Sequence, residues 1–583
     1  MKQILRDVWS RDCRGFVTVS IFTVLASLTG GISIALLVPM LGILEISDVA
    51  ESALHFFVSP LQGFPKSVQM IMIICIYFLL IVAKALLNRA KTVYQGDFLE
   101  NYACGLREQL YQTVLCAKWE QLAAGRQADT VNLFTAQCGQ VVQGVSVILQ
   151  LMSSVVSALV SVVIAAWLSL PVTVFVLICG GFFSLLYRKL MKISKDFGDE
   201  MIRLNRQMYT ELFHQLRGVK EVRSYGVQQK HAELFHEINE HAKTSKLEFA
   251  HQSATPSMLQ TIAAAGMIAV IFIVCVLVFH MDTARLMVLV YVFMRLWPAF
   301  SGVTPKIAGI RVAIPAYEKL NEAFLNFTTE NTVEESGEIL KFEQAIEFRN
   351  VAFSYQGSQQ TVLNGVNFVL KRGSITALVG RSGAGKTTIA DLMLGLLSPT
   401  EGQILIDGVS LTEDNLSGWR HGLGYIPQEP LILNASVLEN LERFHPGATQ
   451  EQMIDALKKA HAWEVVEKLP NGLDTVLGDG GIRLSGGERQ RLVLARVLMG
   501  NPRLIIMDEA TSAMDYESEA AVRSAIAQLK GQTTVVIIAH RLATVRTAER
   551  VLVLQDGMIT EDGTLQELAI CPNGYLNKLL YMD

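Results

Sequence analysis

The chain has 583 residues, of which 51% are hydrophobic and only 18% charged, with a formal net charge of −4. That length allows several domains, the near-neutral charge argues against a nucleic-acid partner, and the apolar excess is too large for an all-soluble protein. The excess collects in the first 305 residues, while the remainder reads as ordinary soluble α/β sequence. The eight cysteines (13, 75, 104, 116, 138, 179, 275 and 571) form no Cys-x-x-Cys pair and read as free thiols acting as small hydrophobes.

The N-terminal stretch MKQILRDVWSRDCRG is charged throughout and lacks a cleavable signal pattern. It predicts an amphipathic entry helix over 1–15, lying at the cytoplasmic membrane surface. Apolar segments of about 20 residues, enough to cross a bilayer, follow near 16–44, 67–88, 141–167, 170–187, 257–280 and 285–303. They define an all-α, six-helix membrane domain over 16–305. The connection after the second span carries Arg89, Lys91, Arg107, Lys118 and Arg126, and the one after the fourth is basic from Arg188 to Lys246. The loop after the first span has Glu45, Asp48 and Glu51 against Lys66 alone. Basic connections stay inside, so both termini are expected in the cytoplasm.

Both basic connections have apolar positions at helical spacing, which predicts helices extending far into the cytoplasm. Gly125, Gly218 and Gly226 interrupt them, and a short transverse helix at such a break could meet another domain. Arg295 lies within the sixth span, where an arginine is costly and faces a bundle interior or water. It is a candidate contact for an anionic substrate group, with structural pairing an equal alternative. Lys84 reads as snorkelling to the interface.

A polar connector is expected over 306–343, and from 344 to 583 the pattern changes to short β-type runs punctuated by turns. The stretch GRSGAGKTT, Gly380 to Thr388, satisfies G-x-x-x-x-G-K-[ST] between an apolar strand and a helix start. Its backbone N–H groups would face phosphates, Lys386 would add a point charge, and the Thr387 hydroxyl would serve a magnesium ion. The strand LIIMD ends in Asp508, a second magnesium candidate, and Glu509 follows where it can polarise an attacking water. A further helix start, LSGGERQR from Leu484, also has the form of an anion grip.

These motifs, in this order and over nearly the whole length, resemble ATP-binding cassette (ABC) transporters, specifically half-transporters of the exporter fold. The resemblance implies ATP binding by Tyr355, stacked on adenine, and by Gly380, Arg381, Ser382, Gly383, Ala384, Gly385, Lys386, Thr387, Thr388 and Asp508. It implies catalysis by Glu509 with the switch histidine His540 and Gln428, and magnesium held by Thr387, Gln428 and Asp508. It also answers why one domain has two anion grips. Leu484, Ser485, Gly486, Gly487 and Glu488, with Asp515, serve the ATP bound by a partner cassette, which implies a dimer, in its simplest form a homodimer. Asp479 stands where the family usually has glutamate, and Tyr225 is a candidate contact to a cassette. The expected function is ATP-driven export or flipping of a lipidic, peptidic or other amphipathic substrate by alternating access, in a bacterial inner membrane. An exporter-fold importer, for example of a siderophore, and a non-transport ABC ATPase are the alternatives.

Overall fold

The computed structural model describes residues 2–35, 65–125, 127–168, 170, 173–174, 177–178, 181, 194–277, 293–294, 297, 302–327, 340–355, 357, 360–508, 516–539, 542–571 and 574–580. The chain divides into two compact units, Met1–Leu115 with Gly125–Thr328, and Cys116–Ala124 with Thr329–Asp583.

In the first unit α1 (Lys2–Arg11) and α2 (Cys13–Ala35) meet at a bend of 109°. Asp12 makes the corner: its Oδ1 accepts from Gly15 N at 2.8 Å, satisfying a first-turn donor of α2. The amphipathic character expected of the N-terminus is present, and two of its apolar residues pack within this unit. Ile4 and Val8 are buried with Phe98, Leu106 and Leu110 of α3 (Lys66–Leu115), and Asp7 accepts from Tyr102 Oη at 2.7 Å. α3 has 50 residues, about 75 Å at 1.5 Å per residue, so it far outruns a hydrocarbon core of about 30 Å. Among the described residues two helices are long and apolar enough to cross a membrane, Met70–Leu115 and Ala128–Val163, or three if the bent first pair is one span. The other expected spans fall wholly or partly on 36–44, 170–187, 278–280 and 285–303, most of which lie outside the described residues, as does Arg295.

The helical connections are broken near the expected glycines. After α3 comes the short α4 (Trp119–Ala124), then α5 (Cys138–Leu168), α6 (Ser194–Arg217), the one-and-a-half-turn helix Val219–Ser224, and the 50-residue α7 (Gln228–Leu277). Gly226 has φ +68°, a conformation that suits glycine. The polar connector expected from 306 begins later, because α8 (Val303–Asn326) continues through it. Ile310, Ala313, Ala316 and Leu320 recur on one face and are buried, a stripe that the acidic composition further on obscures. α8 approaches α5 closely at Gly144, where a β-carbon would come within 2.4 Å of Ala313 Cβ.

The second unit has two sheets. One is antiparallel in the order β2-β1-β4-β5, from β1 (Ala345–Ser354), β2 (Thr361–Lys371), β4 (Glu401–Ile406) and β5 (Val409–Ser410). The other runs β10-β9-β3-β8-β7-β6, built from β3 (Ile375–Gly380), β6 (Leu423–Ile426), β7 (Leu504–Asp508), β8 (Thr534–Ile538), β9 (Arg550–Gln555) and β10 (Met558–Gly563). All its pairings are parallel except β9 with β10. Strands β3, β7 and β8 are buried at every residue, which explains their unbroken apolar runs. Successive residues feed opposite cores: Ile505, Met507, Val535 and Ile537 face one cluster, and Leu504, Ile506, Val536 and Ile538 the other. Loading both faces in this way leaves the C-terminal ends of the parallel strands as the open edge for chemistry. Cys13, Cys75, Cys104, Cys116, Cys138 and Cys571 are free thiols.

Candidate functional site

Strand β3 ends at Gly380, whose α-hydrogen faces the Leu554 carbonyl; a β-carbon there would lie 2.2 Å from that oxygen. The chain then curls through Gly383 (φ +80°) and Gly385 (φ +103°) before α9 (Lys386–Met393) begins. Both glycines occupy backbone space that L-residues rarely adopt. Nothing lies within 4 Å of a β-carbon placed on Gly383, so the loop is an open cradle rimmed by the exposed residues Arg381, Ser382 and Gly383. The Lys386 side chain is buried, and its Nζ donates to the Gly380 and Arg381 carbonyls, each at 2.9 Å, holding an ammonium across the loop. The start of a helix, left-handed glycines and a central cation together fit a polyphosphate. Ala384, Thr387 and Thr388 complete the turn, and Tyr355 stands beside it, its hydroxyl 3.4 Å from Thr388 Oγ1 and its ring edge-on to Phe353. Much of that ring is exposed and available for stacking.

Asp508, at the end of β7, is nearly buried. The adjacent Asp391 of α9 titrates high, at about 6, because it is buried and because it shares the space with the Asp508 charge; a hydrogen bond from the Trp119 side chain opposes this. Burial and the same two carboxylates push the Tyr425 hydroxyl up to about 12. Among the described residues no three of His, Cys, Asp or Glu cluster as a closed metal cage. One strand-end carboxylate, the Thr387 hydroxyl and the Gln428 amide instead fit a hard cation that also takes phosphate oxygens. Glu509, Asp515 and His540 lie outside the described residues.

The second expected anion grip lies at the start of α10 (Gly486–Met499). Ser485 is its N-cap and forms a capping box with Glu488: Ser485 N donates to Glu488 Oε2 at 2.7 Å, and Glu488 N to Ser485 Oγ at 3.3 Å. The sequence reading missed this, although S-x-x-E before an apolar run is a recognised helix start. Leu484 is buried beneath, while Gly478, Gly480 and Gly481 all have positive φ and shape the loop that carries Asp479. Further along α10 the Arg496 guanidinium is buried, which lowers its pKa to about 10. It donates to the Leu431 carbonyl at 3.0 Å and to Asn440 Oδ1 at 3.3 Å, and lies 4.0 Å from the Phe444 ring centroid. It thereby ties α10 to the loop that follows Gln428.

The segment 116–124 belongs to this same unit. Besides the bond from Trp119 to Asp391, Lys118 Nζ meets Glu413 Oε1 at 2.5 Å. The side chain of Asp391 therefore ties the phosphate-loop helix to α4 while standing against the Asp508 charge.

Two family models match the chain, the ABC transporter transmembrane region over residues 19–297 and the ABC transporter over 363–512. It is similar to the heterocyst differentiation ATP-binding protein of Nostoc sp., at 30% identity over 83% of this chain and 80% of that one. It is also similar to the ATP-dependent lipid A-core flippase of Haemophilus ducreyi, at 29% identity over 92% and 94% of the two chains. In fold it resembles a bacterial Atm1-family ABC exporter solved with ATP bound, with a TM-score of 0.83 at 20% identity, covering 98% and 99% of the chains. The phosphate loop, the strand-end carboxylate and the capped α10 thus sit in a chain that belongs to the ABC transporter family as a half-transporter of the exporter fold, a helical membrane domain followed by a cassette that couples ATP hydrolysis to transport.

Proposed function

We propose that this chain works as a homodimer that flips or exports a lipidic or otherwise amphipathic substrate, each ATP being clasped between the phosphate loop of one copy and Ser485 to Glu488 of the other. The carrying observation is the pairing within one cassette of two anion grips of different build. The cradle at Gly380–Thr388 has a buried ammonium and is complete on the phosphate side, whereas the start of α10 offers helix N–H groups and a serine with no lysine of its own loop behind them.

In this reading Tyr355 stacks on adenine, Arg381 to Thr388 wrap the phosphates, and Lys386 exchanges its two carbonyl partners for phosphate oxygens. Thr387, Asp508 and Gln428 would hold magnesium, which when bound neutralises charge building on the phosphates. Glu509 orients and deprotonates the attacking water, His540 contacts the terminal phosphate, and Asp515 borders the shared site. Closure of the two cassettes moves the helix extensions and exposes the substrate cavity alternately to the two sides. The basic connections after the second and fourth expected spans support cytoplasmic cassettes and termini. A relative named as a lipid A-core flippase, similar along 92% of this chain, supports a lipid cargo and a bacterial inner membrane.

The test is reconstitution in liposomes with lipids bearing a fluorescent headgroup. ATP with magnesium is expected to move label from the cassette-side leaflet to the other, and Glu509→Gln is expected to stop this. Movement that continues at the same rate without ATP would refute the reading.

A further inference from the structure

Two lysines in the membrane unit converge on adjacent serines of one helix. Lys91, on α3, donates from Nζ to Ser153 Oγ at 2.6 Å. Lys306, on α8, donates to Ser154 Oγ and reaches the Gln150 carbonyl at 3.5 Å. The two ammonium groups are near enough to repel each other, and both side chains are half-buried. Among the described residues no carboxylate pairs with either one. This differs from ordinary snorkelling, in which a lysine extends away from the bundle into headgroup water. Here two cations from distant parts of the chain are drawn to one place on α5, at the cost of mutual repulsion.

Ser154 gives its own O–H to the Gln150 carbonyl at 2.9 Å, whereas Ser153, accepting from Lys91, still has its O–H to donate. Two ammonium groups and the Ser153 hydroxyl therefore offer several donors and a net charge of +2, and the Gln150 carbonyl, already taken by Ser154, competes only weakly for Lys306. An oxyanion satisfies that set, because it neutralises the repulsion and accepts from every donor. Depth is informative as well. Lys91 follows the run LLNRA, where the apolar stretch of α3 gives way to polar residues. A ligand with its charged end at Lys91 would have its apolar body against the preceding turns.

We propose that Lys91, Lys306, Ser153 and Ser154 form a binding site for the phosphate or carboxylate headgroup of an anionic amphiphile. The proposal rests on the transport reading above and narrows its substrate class to anionic cargo. An amphiphile and a small free anion share the chemistry, and the amphiphile is favoured by the apolar run that leads to the site.

The full-length protein, purified in an uncharged maltoside detergent, is titrated with dodecyl phosphate, with dodecyl glucoside and with inorganic phosphate, binding being read by calorimetry. The expected result is a preference for dodecyl phosphate over dodecyl glucoside of about tenfold or more. It should fall to near one in the Lys91→Gln/Lys306→Gln double variant and be retained in Lys91→Arg/Lys306→Arg. The arginine pair keeps the charge and guards against a folding artefact, and the ratio of two ligands on one sample is insensitive to the active fraction. An unchanged preference in the glutamine variant overturns the proposal, as does a wild type with no preference. Inorganic phosphate binding as tightly as dodecyl phosphate would also overturn it, by assigning the site to a free anion. None of these outcomes bears on ATP-driven lipid movement in liposomes, which fails or succeeds separately.

Discussion

At the scale of single residues the cassette is organised by charges held in confined space. Lys386 is fixed by two carbonyls of its own loop, so its ammonium is preorganised for phosphate. Lys386→Ala should weaken ATP binding by about tenfold or more, measured by equilibrium titration with a fluorescent analogue. Glu509→Gln, which keeps shape but removes the proposed base, should retain ATP while lowering turnover by about a hundredfold or more. Asp391 makes a pH prediction. Its folded-state value of about 6 lies above the ordinary carboxylate value of 3.8, because of burial and then the charge of Asp508. Tyr425 and the donor Trp119 are its other polar neighbours. The sign follows: a raised acid contributes stability that is complete below about pH 4 and lost as pH rises through about 6. Asp391→Asn should therefore stabilise the nucleotide-free protein at pH 8 by about 1–2 kcal/mol after allowance for solvent screening. The gain should vanish near pH 4, and thermal unfolding across that range measures it. The sequence announced Lys386 through its motif, whereas Asp391 is an ordinary helix residue there. Its neighbours come from β7 and from a segment more than 260 positions earlier, which no local pattern reveals.

At the scale of elements, the tightest constraint is the end of β3. A β-carbon on Gly380 would strike the Leu554 carbonyl, which belongs to a strand and cannot move aside. Gly380→Ala should cost about 2 kcal/mol or more and displace the phosphate loop, visible as a lowered melting temperature with loss of ATP-induced stabilisation. The short helix α4 is held in part by single side-chain bonds. Trp119→Phe keeps the ring but deletes the donor to Asp391, leaving Lys118–Glu413 as an exposed pair of small worth. Amide hydrogen exchange over 116–124 should rise by about tenfold; no change would mean the indole bond carries little. Elements with a strong period were legible in advance: the buried parallel strands from their apolar runs, and α3, α5 and α7 from helical spacing. The end of the membrane unit was not, since the apolar stripe of α8 follows closely on the expected sixth span and then merges into an acidic stretch. The capping box of α10 was hidden for a different reason, because its serine and glutamate also fit an anion-binding role.

At the scale of the whole molecule, half-transporters of this family generally work as dimers, and the proposed composite site takes one grip from each chain. One cassette has a phosphate cradle with a lysine at its centre; the start of α10, where Ser485 and Glu488 cap each other, is proposed to close over a phosphate held by the other chain. A direct test uses two inactive chains. Lys386→Ala disables the cradle, and Ser485→Arg fills the start of α10; homodimers of either should hydrolyse almost no ATP. In a mixed dimer the intact cradle of the second chain faces the intact α10 of the first, so one whole site is rebuilt. Co-reconstituted chains bearing different affinity tags, purified through both, are expected to recover a substantial fraction of wild-type ATP turnover. A doubly tagged dimer no more active than either parent would contradict a shared site.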